Sequence, residues 1–370
     1  MIVVDLQDYR EDGIPPGPVL FQIQGFEKVG RSRMNHVIAE IPAAMRMQQL
    51  LGGFEVSQAL YVIAELGVAT ALLEGPRTVE DLASATGADV DALWRIIRFL
   101  ATLDVFRTDG ETVEVTDLGR TLADGPVDSL RGLARYWMET HYAPFGSLLH
   151  TARTGQIGAT EYLGKPFFEW VNESPHLAEL QNIAMADGAR SNRGELLESY
   201  QLPEGKTVAD IGGADGTLLV ELLARQPARR GIVFDLPGVL ARASATLEAA
   251  GLSDRVTAVG GDFFENVPTA DVYVMSVVLH DWDNASCVRI LRNIAKAAAP
   301  GARLVLLEMV MPPGNSPHFT KMIDLTMLAL LGGRERTETE WRRLLLDGGF
   351  TLARVLSGSG VISVIEATIN

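Results

Sequence analysis

The chain has 370 residues, 47% of them apolar and 21% charged, enough to bury a sizeable core over about two domains and too apolar for wholesale disorder. Acids outnumber bases 47 to 32, for a formal charge of −15; such a surface repels phosphate backbones and anionic membranes, so neither nucleic acid nor membrane is an expected partner. One cysteine, Cys287, rules out an internal disulfide and fits a reducing, cytoplasmic compartment.

No apolar run reaches the roughly 20 residues that span a bilayer, and MIVVDLQDYRED carries acids where a secretory leader needs a basic start. Residues 1–37 read as an N-terminal arm: Gly13-Ile14-Pro15-Pro16-Gly17-Pro18 suits neither a helix nor a central strand. The arm is expected to be loosely ordered or laid against another subunit. Residues 38–127 read as a first domain. Ala59, Leu60, Ile63 and Leu66 have helical spacing, and Thr78-Val79-Glu80-Asp81 marks a helix start. A short helix to about Ala85, a turn at Gly87, a helix over 90–103 and a hairpin around Asp109-Gly110 follow.

Helix, turn, helix and hairpin make a winged-helix pattern, so a DNA reader has to be weighed. Between Glu74 and Asp124, 11 acids stand against 5 arginines, and Asp89 and Asp91 lie on the would-be recognition helix. A DNA-reading wing needs a basic face; the unit is therefore read as structural, serving dimer contacts and roofing a pocket. Residues 128–200 are helical and aromatic, with Tyr136, Trp137, His141, Tyr142, Phe145, Tyr162, Phe167, Phe168 and Trp170. Such rings are either core or the lining for a flat substrate.

From residue 201 to 370 strands alternate with helices, the rhythm of a parallel α/β sheet. Buried strands are predicted over 207–211, 231–235, 256–260, 271–279 and 302–310, with helices over 217–225, 239–250 and 285–298 between them. A hairpin around Gly358-Ser359-Gly360 is expected to close one edge, giving a mostly parallel seven-stranded, Rossmann-like sheet with an antiparallel C-terminal hairpin.

The candidate chemistry sits at the carboxyl ends of successive strands, where open α/β sheets bind ligands. Asp210-Ile211-Gly212-Gly213-Ala214-Asp215-Gly216 turns from strand to helix, with glycines that allow close backbone approach. It lacks the G-x-G-x-x-G spacing and the Walker lysine. Asp235, 25 residues after Asp210, ends the second strand, where an acid can bind both ribose hydroxyls. Gly261-Asp262-Phe263 follows the third strand, offering an acid and a ring for an adenine, and His280-Asp281-Trp282 ends the fourth. No His-x-x-x-His pair or cysteine cluster suggests a metal.

Taken in order, VADIGGADG, FDLPGV, GDFF, VLHDW and GGRERTETEW resemble the motifs of class I S-adenosylmethionine-dependent O-methyltransferases. They are most similar to the caffeic-acid type and its bacterial relatives that act on polyketide and other aromatic natural products. The resemblance runs from about residue 50 to the end. It implies a Rossmann-like methyltransferase domain, an intertwined homodimer made by the winged-helix-like front half, S-adenosylmethionine as cofactor and an aromatic small-molecule acceptor.

Carried onto this sequence, the resemblance places Asp210, Gly212, Gly213 and Gly216 under the methionine end of the cofactor. Asp235 and Leu236 go to the ribose, and Gly261, Asp262, Phe263 and Ser276 to the adenine. His280 matches the general base, Glu308 and Glu335 the acids flanking it, and Met185, Asp281, Trp282 and Asp324 the acceptor side. Ala214 departs from the family's third glycine, and Ser276 stands where plant members have a lysine, which weakens or alters that contact. Two alternatives stay open: the same fold with chemistry drifted to hydroxylation, decarboxylation or ring rearrangement, and a winged-helix regulator that senses a small molecule.

Overall fold

A computed structural model describes residues 41–126, 128–193 and 196–370; the predicted N-terminal arm lies outside the described residues. They form two compact units, one of residues 41–126 with 314–317, the other of 128–313 with 318–370.

In the first unit, helices Ala43–Leu51, Gly53–Leu66 and Val68–Ala71 precede strand β1, Arg77–Thr78. Helix Val79–Thr86 starts where Thr78 Oγ1 accepts the Asp81 N–H at 3.2 Å, and helix Val90–Ala101 where Asp89 accepts from Ala92 at 2.9 Å. Strands β2 (Phe106–Asp109) and β3 (Thr112–Val115) follow, and the antiparallel order is β1-β3-β2. β1 was not legible as a strand, its Thr78 being read as the helix start. The hairpin also turns one residue later than expected. Asp109 pairs with Thr112, so Gly110 and Glu111 are the central residues, with Gly110 at φ 58°; glycine first is the pattern of a type II′ turn. Ile63, Leu82, Leu93, Ile97, Leu100 and Val113 are the buried centre of this unit.

The second unit is built on strands β4 (Thr207–Ile211), β5 (Arg230–Asp235), β6 (Val256–Gly260), β7 (Val272–Ser276), β8 (Arg303–Met309), β9 (Phe350–Ser357) and β10 (Ile362–Ile369). Their order is β6-β5-β4-β7-β8-β10-β9. β4 to β8 run parallel and β10 is antiparallel to both its neighbours. The hairpin therefore does more than cap an edge: β10 lies inside the sheet and β9 is the edge.

Alternate residues of the strands face opposite cores, as period two requires. Ala209, Ile211, Tyr273, Met275, Leu304 and Leu306 pack on one side against helices Asn284–Ala297 and Glu338–Asp347 through Ile290, Leu291, Ile294 and Trp341. Val208, Val233, Val274, Val305 and Leu307 pack on the other against Leu219, Leu223 and Leu247 of helices Thr217–Leu223 and Ala243–Ala249. Each buried Val, Leu, Ile or Met among them contributes about 1.5–3 kcal/mol, which makes the sheet a rigid platform for its carboxyl-end loops. The chain steps from β4 outward to β6 and then returns to β7 beside β4. The crevice between these two strands is the topological switch point.

The segment before β4 is helical, as expected. Its helices include Arg131–Tyr136, Gly158–Leu163, Phe167–Asn172 and Pro175–Arg193, with a π-helical turn at Trp137–His141. A second π-helical turn, Met327–Leu331, continues helix Phe319–Thr326. Its Ala329 and Leu330 join Tyr136, Phe167 and Leu180 in one buried cluster, with Phe145, Phe168 and Trp170 packed on it. Of the aromatic stretch, Tyr136 and Phe167 are core, while Tyr142 and Tyr162 are exposed.

Candidate active site

β4 delivers the glycine loop to the switch point. The N–H groups of Gly212 and Gly213 donate to the Phe234 carbonyl at 2.8 and 3.2 Å, folding the loop onto β5. The space a Cβ would occupy is already filled by the protein: Val278 lies 2.8 Å from that position at Gly212, and the Asp210 carboxylate 2.8 Å at Gly213. These glycines therefore let the loop hug the sheet, in addition to any ligand approach. Gly212 and Gly216 also need their glycine freedom, at φ 76° and 80°.

Asp235 ties this loop to the next strand. Its Oδ2 accepts the Ala214 N–H at 3.0 Å and its Oδ1 the Leu236 N–H at 2.7 Å. Burial raises the Asp235 pKa, and the two backbone donors oppose that rise. Leu236 beside it is 52% exposed, an apolar side chain left open at a strand end. After β6, Asp262 Oδ1 accepts the Phe264 N–H at 2.8 Å, and Gly261 is pressed on the Phe234 ring, where a Cβ would come within 2.6 Å. An acid suited to a ribose diol, with Leu236 and Phe263 as apolar surface for a base, fits an adenosyl group at this edge. Ser276 is half-buried at the end of β7.

The fourth strand departs from expectation. β7 ends at Ser276, and residues Leu279–Asp281 form a single 3-10 turn. Between them Val277 sits at φ 52°, a left-handed conformation costing a β-branched residue about 1–2 kcal/mol. Its N–H donates to the Leu307 carbonyl at 2.9 Å, and the next two N–H groups, of Val278 and Leu279, donate to Glu308 Oε1 at 3.1 and 2.9 Å. Glu308, fully buried on β8, thus holds the bend that presents His280.

His280 is buried and Nδ1 donates to Glu335 Oε1 at 2.7 Å, while Nε2 lies 3.3 Å from Asp281 Oδ1. Glu335 is placed in turn by Asp324, whose Oδ1 accepts the Glu335 N–H at 2.9 Å. Asp324, expected on the acceptor side, thus also fixes the backbone of the acid behind the histidine. The second oxygens of Glu308 and Glu335 are buried and accept no hydrogen bond from the described residues.

Three acids around one imidazole set the electrostatics. Burial pulls the His280 pKa down, but the Asp281 charge, the Glu335 hydrogen bond and the Glu308 charge outweigh it and push it up to about 10. Burial lifts Glu308 to about 7 and Asp281 to about 6, each opposed by the His280 charge. Burial, then the Asp281 charge, raises the Tyr136 phenol as well.

The remaining predicted residues divide. Trp282, expected on the acceptor side, packs edge-on to Phe263 and Phe264, with ring centroids at 6.0 and 4.8 Å. Met185 is 51% exposed on helix Pro175–Arg193. Burial holds His141 near pKa 3, a neutral ring among Tyr136, Trp137 and Phe167. Cys287 is buried, its thiol 3.1 Å from the Leu279 carbonyl and raised to about 12, by burial first. Sequence reasoning missed Gly333 and Arg336, whose motif it quoted only for Glu335. Among the described residues no His, Cys, Asp and Glu cluster is suited to a metal, and no helix is long and apolar enough to cross a membrane.

Residues 147–351 match the O-methyltransferase domain and residues 48–125 the O-methyltransferase dimerisation domain. The chain is 37% identical over 335 residues to a phenazine O-methyltransferase of Lysobacter antibioticus, covering 90% of this chain and 98% of that one. It is 37% identical over 317 residues to a 3-amino-4-hydroxybenzoate 4-O-methyltransferase of Streptomyces cremeus, covering 85% and 87%. Among solved structures it resembles an O-methyltransferase from neocarzinostatin biosynthesis, in complex with S-adenosylmethionine and 2-hydroxy-5-methyl naphthoic acid. That match has a TM-score of 0.73 and 32% identity, covering 85% of this chain and 96% of the other. Matches over both units favour methyl transfer over drifted chemistry and over a small-molecule regulator. The chain belongs to the S-adenosylmethionine-dependent O-methyltransferases of the caffeic-acid type, within their bacterial natural-product branch.

Proposed function

We propose that the protein works as a cytoplasmic homodimer that methylates a hydroxyl of an aromatic small molecule, with His280 as the base. The observation that carries this reading is the buried His280, held by Glu335 and the Glu308-anchored bend beside the glycine loop. Relatives acting on a phenazine and an aminohydroxybenzoate, and a neighbour holding a naphthoic acid, support an aromatic acceptor. The dimerisation-domain match supports the dimer, and the single, buried Cys287 fits a reducing compartment.

When bound, S-adenosylmethionine supplies an electrophilic methyl on a positively charged sulfur. Asp210, Gly212, Gly213 and Gly216 would hold its methionine end, Asp235 and Leu236 its ribose, and Gly261, Asp262, Phe263 and Ser276 its adenine. Met185, Asp281, Trp282 and Asp324 complete the proposed substrate side. A phenol has a pKa of about 10 and is mostly neutral at pH 7. Because Glu335 occupies Nδ1, His280 receives the acceptor's proton at Nε2, and the flanking acids stabilise the imidazolium that results. His280 must be neutral to begin. The flanking acids pull the other way, holding its pKa up at about 10, so the proton transfer is expected to gain with rising pH.

The test is formation of S-adenosylhomocysteine from S-adenosylmethionine with hydroxylated naphthoates or phenazines. His280→Ala is expected to lower turnover by about 10²–10⁴-fold; unchanged turnover would remove His280 as the base.

A further inference from the structure

Arg336 follows Glu335 in the chain, is fully buried, and spends its guanidinium on the bend that carries His280. Nη1 donates to the Leu279 carbonyl at 3.0 Å and Nη2 to the Trp282 carbonyl at 2.9 Å, the two carbonyls that bracket His280-Asp281. Nε and Nη2 both donate to Asn284 Oδ1, at 3.1 and 3.0 Å, at the start of the helix that follows. Nη1 also reaches the Arg334 carbonyl at 3.2 Å, and the guanidinium lies over the Trp341 ring at 5.2 Å. Glu308 meanwhile binds the N–H groups of Val278 and Leu279 from the neighbouring strand β8. The bend is gripped at its donors by a buried acid and at its acceptors by a buried base.

We infer that Arg336 is a positioning residue for the methyl transfer, locking the bend so that His280 Nε2 stays aimed at the acceptor. The inference rests on the reading of His280 as base. A planar fork with several fixed donors is needed to reach two carbonyls and one amide oxygen together; lysine keeps the charge and cannot span them. A misplacement of about 1 Å at a reacting group costs about 10²-fold in rate, so loosening the bend should appear in kcat before it appears in binding.

The experiment measures kcat, acceptor KM and S-adenosylhomocysteine Kd for Arg336→Lys, Asn284→Ala, His280→Ala and the Arg336→Lys/His280→Ala double variant. Arg336→Lys should lower kcat by about 10–100-fold while KM and Kd stay within about threefold. Asn284 is exposed, so Asn284→Ala should fold and show the same pattern with a smaller loss, about threefold or more. In the His280→Ala background, Arg336→Lys should change the residual rate by less than about twofold, because its effect passes through the histidine. Equal losses in both backgrounds would overturn the inference, as would an unchanged kcat in Asn284→Ala should Arg336→Lys fail to fold. Wild-type turnover in His280→Ala would instead sink the base assignment, and this inference with it.

Discussion

Ala214 occupies a backbone conformation that glycine adopts more cheaply. Its φ is 46°, in the left-handed region that costs an alanine about 1–2 kcal/mol, and the Asp235 carboxylate holds it there through its N–H. The departure from the glycine pattern was visible in the sequence as a missing glycine; its strain was not, because nothing local fixes φ. Ala214→Gly should raise folding stability by up to about 1 kcal/mol, after the extra entropy of a glycine in the unfolded chain is offset. Urea denaturation checks this, and a loss of about 1 kcal/mol would contradict it. His280 stood out at the end of an apolar strand run, whereas Glu308 and Glu335 were reached only through the family resemblance; the structure sets both acids around its ring. Arg336 was not legible: a lone arginine in a loop signals a solvated charge until the carbonyls it serves are brought beside it.

Among elements, the segment Gly333–Arg336 and the bend at 277–282 act as one unit. The Arg334 N–H donates to the His280 carbonyl at 2.8 Å, and a Cβ on Gly333 would collide with that carbonyl and with the Asp281 backbone. Gly333→Ala must push these segments apart, so kcat should fall by about tenfold or more while circular dichroism stays that of the wild type; full activity would show that the bend tolerates the shift. Strand period made most of the sheet readable. The run VISVIEATI read as half of an edge-closing hairpin, yet β10 is buried along most of its length while β9 is largely exposed beyond its first residues; the insertion of β10 between β8 and β9 depends on contacts far apart in the chain. The π-helical turns and the end of β7 at Ser276 escaped for the same reason. A continuous apolar run such as VYVMSVVL carries no mark of where Val277 bends.

The whole molecule inherits a pH dependence from the buried cluster. Glu308, Asp281 and His280 have folded-state pKa values raised to about 7, 6 and 10, so the folded chain binds more protons than the unfolded one. Their stabilisation is fully present below the unfolded pKa values and is lost as pH rises through the folded ones. The growing negative charge of an already acidic chain acts in the same direction. Tm at constant ionic strength should therefore fall between pH 6 and 9, and fall less in His280→Gln; a Tm that rises over this range would contradict the cluster's assignment. The central claim divides labour between two neighbouring parts of one crevice, Asp235 for the cofactor and His280 for the proton. Calorimetric titration with S-adenosylhomocysteine of wild type, Asp235→Ala and His280→Ala tests it most directly. The account predicts one site per chain, affinity lowered by about tenfold or more in Asp235→Ala, and wild-type affinity in His280→Ala. Intact binding by Asp235→Ala, or its loss in a folded His280→Ala, would contradict it.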